Sequence, residues 1–207
     1  MVILWENHSF SAKGAKMQIS SVFEGRIVQM KTVVLLYNTS CIYEIVILNY
    51  FLNFTGKDVV FVSLDGKQIT AMEGYSINVS EKLKSIAPDD VELVIVPGGN
   101  ITEIDNYEVW DYLSKVHMNN GIIAGICAGV DVLEHSGVLE EIISTHSSEL
   151  DVAVVDTVIT ARANGYVDFA IEVAKKWTYS KMKMTWQRQL HFGENIKEFN
   201  EIPVFHV

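Results

Sequence analysis

Gly121-Ile122-Ile123-Ala124-Gly125-Ile126-Cys127-Ala128-Gly129 is the stretch on which the fold turns. An apolar run from Gly121 to Ile126 leads into it, and a helical pattern from Val130 to His135 leaves it. A nucleophile on a tight strand-to-helix turn needs small residues two places before and two places after it, because side chains there collide where the backbone doubles back. The nucleophile itself is forced into a strained φ/ψ region. G-x-C-x-G meets that demand, with cysteine where a hydrolase elbow has serine. The turn also brings the sulfur to a helix N-terminus, where unpaired N–H groups and the helix dipole favour thiolate over thiol. Cys127 is therefore a candidate reactive cysteine. The competing reading is an inert thiol at the end of a core strand, since free cysteine is among the most buried residue types.

Outward from the elbow, apolar runs alternate with helical patterns. Thr32 to Tyr37, Asp58 to Leu64 and Val91 to Val96 read as strands buried on both faces of a parallel sheet. Gln68 to Val79, with the turn signal Glu73-Gly74, reads as a small hairpin, and Glu81 to Ser85 as a short helical piece ended by Pro88. Ser40 to Phe54 and Tyr107 to Met118 read as helices, Val152 to Ala161 as two short strands or one bent one. Gly165 to Trp177 is a last helix, with Val167, Ala170, Ile171 and Ala174 on one face. The expected class is α/β, with a mostly parallel, helix-covered sheet.

The helix at 40–54 carries a second message. Ile42, Ile45, Val46 and Leu52 suit a sheet-facing side, while Tyr43, Ile47, Tyr50, Phe51 and Phe54 cover the others. A helix apolar all round is buried all round, and a second copy of the chain is the natural cover. A homodimer is expected; burial by the terminal segments is the alternative.

Composition bounds the function. The chain has 207 residues, 49% hydrophobic and 20% charged, which suits one globular domain with a full core. No apolar run approaches the roughly 20 residues of a membrane span. A net charge of -10 argues against a general nucleic-acid binder, which would show a basic face. Cys41 and Cys127 are too few for a disulfide framework and suit a reducing cytoplasm. The histidines show no metal-ligand spacing, so neither metal nor cofactor is expected.

Residues 1–29 lack the periodicity that begins at Met30-Lys31. They read either as a real extension or as a misread leader. Glu24-Gly25-Arg26 can be encoded by purine-rich codons that resemble a bacterial ribosome-binding site just before Met30. The tail 178–207, with Trp186, Phe192, Phe199 and Phe205, stands apart from the domain at 30–177 and is expected to pack on the body or on a second subunit.

In open α/β sheets ligands gather beyond the carboxyl ends of the strands. Three loops leave those ends near Cys127: the one leading to Glu44, Pro97-Gly98-Gly99-Asn100, and the elbow itself. Paired glycines let backbone amides approach a substrate, so the N–H groups of Gly99 and Ala128 are a candidate oxyanion hole.

Four motifs in order then resemble the ThiJ/PfpI (DJ-one) superfamily: Ile42-Tyr43-Glu44, Val91 through Gly99, Gly125 through Gly129, and Ile159-Thr160-Ala161-Arg162. The resemblance covers about 30–177. It implies a flavodoxin-like three-layer sandwich with a class I glutamine amidotransferase-like fold, a homodimer, and Glu44 as the carboxyl beside the sulfur. An ionised carboxylate there would repel a thiolate, whereas a protonated one would donate to it, so the two titrate as one coupled unit.

Departures narrow the chemistry. PfpI-type proteases carry histidine directly after the cysteine, where this chain has Ala128, and no histidine here begins the His-x-Glu pair of glutamine amidotransferases. Thr145-His146 is similar to a Thr-His of deglycase-like members, but Ser147 to Asp151 leads into the next strand sooner than the family pattern does. His146 is thus a catalytic candidate that reads slightly better as a surface residue. Cys41 reads as a helix-start cysteine rather than a resolving thiol, and Arg162 as a structural partner of a carboxylate rather than an anion site. Three functions stay open: a cofactor-independent lyase or hydrolase acting on small electrophilic carbonyls, a non-enzymatic sensor of oxidants, and, less well supported, an amidase or peptidase.

Overall fold

The computed structural model describes residues 21–23, 26–28, 30–54 and 59–190, with side chains for 30–53 and 59–178. Most of the expected extension at 1–29 and the aromatic tail beyond Leu190 lie outside the described residues. Of the extension, β1 (Ser21–Phe23) and β2 (Arg26–Val28) pair antiparallel.

β3 (Lys31–Leu35) begins the α/β domain. A single-turn 3-10 helix, Ile42–Glu44, and α1 (Val46–Phe54) return the chain to β4 (Val59–Ser63). A hairpin of β5 (Ile69–Thr70) and β6 (Ser76–Ile77) comes next, then the edge strand β7 (Glu81–Lys82). β8 (Val91–Val96), α2 (Tyr107–Met118), β9 (Ile122–Ile126) and α3 (Gly129–His135) form the centre. β10 (Val152–Val155), β11 (Val158–Ala161) and α4 (Tyr166–Leu190) complete it.

Seven strands form one sheet in the order β10-β11-β9-β8-β3-β4-β7, parallel except for β10. This is the flavodoxin-like α/β class expected. Successive side chains on a strand point to opposite faces, which separates the core into two layers. Val33, Leu35, Val94, Val96 and Ile123 pack toward α2 and α3, with Val109, Leu113, Val116, Val132 and Leu133. Val34, Leu36, Leu93, Ile95 and Ala124 pack toward α1 and α4, with Leu48, Leu52, Phe169 and Val173. Among the described residues, no helix is long and apolar enough to cross a membrane.

Four readings of the sequence need correction. The segment at 40–54 is not one helix: the 3-10 turn ends at Glu44 and α1 starts afresh at Val46. With three residues per turn instead of 3.6, that turn rotates the phase of α1 behind it. Ile45, Leu48 and Leu52 therefore face the sheet, while Val46 is 52% exposed. Glu81-Lys82 adds a two-residue strand to β4 before any helical turn forms. In α4 the inner face is Phe169, Ala170, Val173 and Trp177, and Val167 is exposed. α4 also runs on to Leu190 instead of ending near Trp177.

The chain passes from β3 outward through β4 and β7, then crosses back to β8 and β9. The order thus reverses between β3 and β8, and a crevice opens above their carboxyl ends, where such sheets bind ligands. In that crevice the loops after β3, β8 and β9 meet.

Candidate active site

Cys127 has φ +55°, the left-handed region that costs a side-chain-bearing residue of order 1–3 kcal/mol. Close packing holds it there. Cys127 N–H donates to Ala161 O at 2.9 Å, and Val130 N–H donates to Cys127 O at 3.0 Å. The flanking glycines answer to contacts, as the motif demands. A Cβ on Gly125 would lie 2.9 Å from Leu133 Cδ2, and one on Gly129 would overlap the Val96 carbonyl oxygen.

Glu44 arrives from the other side of the crevice. Thr39 N–H donates to Thr70 O at 2.7 Å and Met72 N–H to Ser40 O at 3.0 Å, which ties the loop after β3 to the β5–β6 hairpin. Cys41 N–H donates to Gly98 O at 2.9 Å, and Tyr43 N–H to Glu73 Oε1 at 2.8 Å. The short turn so anchored points Glu44 inward, where it is only 1% exposed. Its Oε2 accepts from Gly98 N–H at 2.8 Å, and its Oε1 accepts from the Tyr43 hydroxyl at 3.3 Å.

The two groups converge over Gly98. A Cβ built there would lie 2.7 Å from Cys127 Cβ, 2.7 Å from Glu44 Oε2 and 3.0 Å from Cys127 Sγ. The Glu44 carboxyl and the thiol thus face each other across that space, with Ala128 N–H placed to favour negative charge on the sulfur. Gly99, the glycine singled out from sequence, has a separate task. Its φ is +137°, and a side chain on it would strike the Thr39 carbonyl.

Burial dominates the electrostatics. It pushes the Glu44 carboxyl above the usual carboxylate range, against the pull of the Gly98, Cys127 and Tyr43 hydrogen bonds. It also pushes the Cys127 thiol upward, and the neighbouring Glu44 charge adds to this, opposed by Ala128 N–H. The helix N-terminus alone therefore does not make this sulfur acidic. While Glu44 is ionised, the proton stays on sulfur. Nearby acids feel the same crowding: burial and Glu44 push the Cys41 thiol up to about 11, and the Tyr43 hydroxyl up to about 12.

His146 stands elsewhere. Its Nδ1 lies 2.8 Å from Glu134 Oε2 and its Nε2 lies 3.6 Å from Asp131 Oδ1, both on α3. Ligand-capable atoms of Asp131, Glu134 and His146 fall within 4.8 Å of one another, a grouping invisible in the sequence because His146 joins from a separate loop. Arg162 holds the preceding loop, donating to Ser148 O at 3.0 Å and to Leu150 O at 3.2 Å, with Glu149 at 3.9 Å. Cys41 remains a free thiol beside the crevice.

Two participants escape a reading of the sequence. Gly98 is half of a glycine pair whose members cannot be told apart without the register of β8. Tyr43 reads as apolar helix surface, and nothing in its spacing announces a bond from its hydroxyl to the next residue.

Comparison with known proteins places this geometry in a family. The family model described as DJ-1/PfpI matches residues 30–185. Deglycase TK1284 of Thermococcus kodakarensis is 28% identical over 128 residues, covering 61% of this chain and 74% of that protein. Deglycase PYRAB04690 of Pyrococcus abyssi is 26% identical over 139 residues, covering 65% of this chain and 81% of the relative. Among solved structures, the DJ-1 superfamily protein Atu0886 of Agrobacterium tumefaciens superposes with a TM-score of 0.66 at 19% identity, over 78% of this chain and 99% of that one. Drosophila melanogaster DJ-1beta superposes with a TM-score of 0.61 at 20% identity, over 75% and 97% of the two chains. These likenesses establish a common fold, and the family model spans the whole α/β domain from β3 into α4: the chain belongs to the DJ-1/PfpI family.

Proposed function

We propose that this protein is a cysteine-dependent enzyme acting on small electrophilic carbonyls, of the deglycase or glyoxalase kind, with Cys127 as nucleophile and Glu44 as its proton partner. One observation carries the reading: a carboxyl only 1% exposed meets a thiol on a strained elbow, over a glycine that leaves them room. The names of the two relatives, both deglycases, point the same way.

In the reactive form the proton sits on Glu44 and the sulfur is a thiolate, held by that carboxyl and by Ala128 N–H. A sulfur lone pair bonds to the aldehyde carbon, and the carbonyl π pair moves to oxygen. That oxygen then takes the Glu44 proton, leaving a hemithioacetal beside an ionised Glu44. The Gly99 and Ala128 N–H groups are the donors assigned to the oxygen while it is negative. Ionised Glu44 is afterwards placed to act as a base toward the former aldehyde carbon. His146, engaged with Glu134, has no part in these steps.

The exposed row of Tyr43, Val46 and Tyr50, 46%, 52% and 61% accessible, supports a homodimer formed through the turn at 42–44 and α1. A reducing cytoplasm suits a protein that works through a free thiol. Light scattering at micromolar concentration is expected to give twice the chain mass, and a clean monomer would refute this interface.

The direct test of the function is turnover of methylglyoxal by the full-length protein. Cys127→Ser should abolish it, and turnover that survives contradicts the assignment. Oxidation of Cys127 by dilute peroxide, in a protein that turns over no carbonyl, would instead favour a sensor.

Glu44→Gln separates reactivity from stability. An amide is a weaker donor to a thiolate than a carboxylic acid, so alkylation of Cys127 at neutral pH should slow about tenfold. Stability should move the other way. The folded state raises the Glu44 pKa, so the stability of its protonated form is fully present below the ordinary carboxylate range. That stability is lost as the pH rises through the folded ionisation, and Gln removes the loss. Denaturant unfolding at neutral pH should therefore find Glu44→Gln more stable than the wild type. Unchanged alkylation would count against the pairing.

A further inference from the structure

Tyr43 touches the pair without belonging to it. Its hydroxyl donates to Glu44 Oε1 at 3.3 Å, while Gly98 N–H donates to Oε2 at 2.8 Å. Both donors favour the ionised carboxyl, because an ionised carboxylate accepts more strongly than a neutral acid. Yet a thiolate at Cys127 needs the neutral acid, whose proton it can accept. Gly98 cannot be spared, since its lack of a side chain makes the meeting possible. The tyrosine hydroxyl carries no such obligation.

Its placement is well fixed. Tyr43 N–H is held by Glu73 Oε1 at 2.8 Å, and its ring stands edge-on to Tyr166 with centroids 5.9 Å apart. The ring therefore has anchors that do not depend on the hydroxyl, and Phe can occupy the same position.

We propose that Tyr43 is a positioning residue that restrains the cysteine: by donating to Glu44 Oε1, its hydroxyl favours the ionised carboxyl and so biases the shared proton toward sulfur. This rests on the Cys127–Glu44 pairing proposed above and assigns its regulation. Other charges bear on the same balance. Glu73, from the hairpin, pushes Glu44 toward its neutral form, Asp131 on α3 disfavours the thiolate, and Ala128 N–H favours it. Cys41 and Tyr37, whose hydroxyl donates to Pro97 O at 2.9 Å, lie close enough to feel the same pair. Burial together with the Glu44 and Cys127 charges pushes both toward their protonated forms. Tyr43 is the neutral donor whose removal leaves every one of those charges in place.

The test is iodoacetamide alkylation of the full-length protein, in which the thiolate displaces iodide, followed across pH. Tyr43→Phe should raise the neutral-pH rate about three- to tenfold, the effect of one lost hydrogen bond of ordinary net strength. In alkaline buffer, where both Glu44 and Cys127 have lost their protons, its rate should equal that of the wild type. The double variant Tyr43→Phe/Glu44→Gln should react like Glu44→Gln alone. A neutral-pH rate in Tyr43→Phe that is unchanged or slower overturns the proposal, and so does an acceleration that persists without Glu44. If Glu44→Gln itself leaves the rate unmoved, the pairing fails first, which distinguishes the two outcomes.

Discussion

A carboxyl and a thiol that meet in a space too small for a methyl group resist being charged together. The meeting of Glu44 and Cys127 over Gly98 is the constraint on which the rest of the site depends. Burial pushes each group toward its protonated form. Together they have one proton to place, and the surrounding N–H and O–H donors decide where it goes. Ala128 N–H draws negative charge to the sulfur, whereas Gly98 N–H and the Tyr43 hydroxyl draw it to the carboxylate. The chemistry of the crevice is a contest between these donors.

The fold supplies the rigidity that such a contest requires. Cys127 is held at positive φ by bonds to Ala161 and Val130, with Gly129 pressed against the end of β8. Glu44 is fixed by a three-residue turn tied to the β5–β6 hairpin. The hairpin lies outside the main sheet, yet it sets the angle at which the carboxyl enters. Reversal of strand order between β3 and β8 opens the crevice in which these loops converge.

Much of this was legible in the residues because local and tertiary demands agreed. β8, α2 and β9 have the bounds that their apolar runs and flanking turn residues announce. The glycines of the elbow could be read because steric demand at a strand-to-helix bend is local. Where demands come from elsewhere, residue patterns mislead. The break between Glu44 and Val46 reflects a bond from the hairpin, and no helical periodicity encodes it. Glu81-Lys82 becomes a strand only because β4 offers an unpaired edge. α4 outlasts its apolar pattern because the Lys, Met, Gln and Arg residues beyond Trp177 are good helix formers. The separate tasks of Gly98 and Gly99, and the hydroxyl of Tyr43, depend on distances that only the packed loops define.

The shared proton can be observed on the carboxyl itself. Isotope-edited spectroscopy of Glu44, by carbon NMR or difference infrared, followed across pH in the wild type and in Cys127→Ala, measures its ionisation with and without the sulfur. The account predicts a carboxyl that titrates above the ordinary carboxylate range and shifts when the thiol is removed. Titration within the ordinary range, indifferent to Cys127, would contradict it.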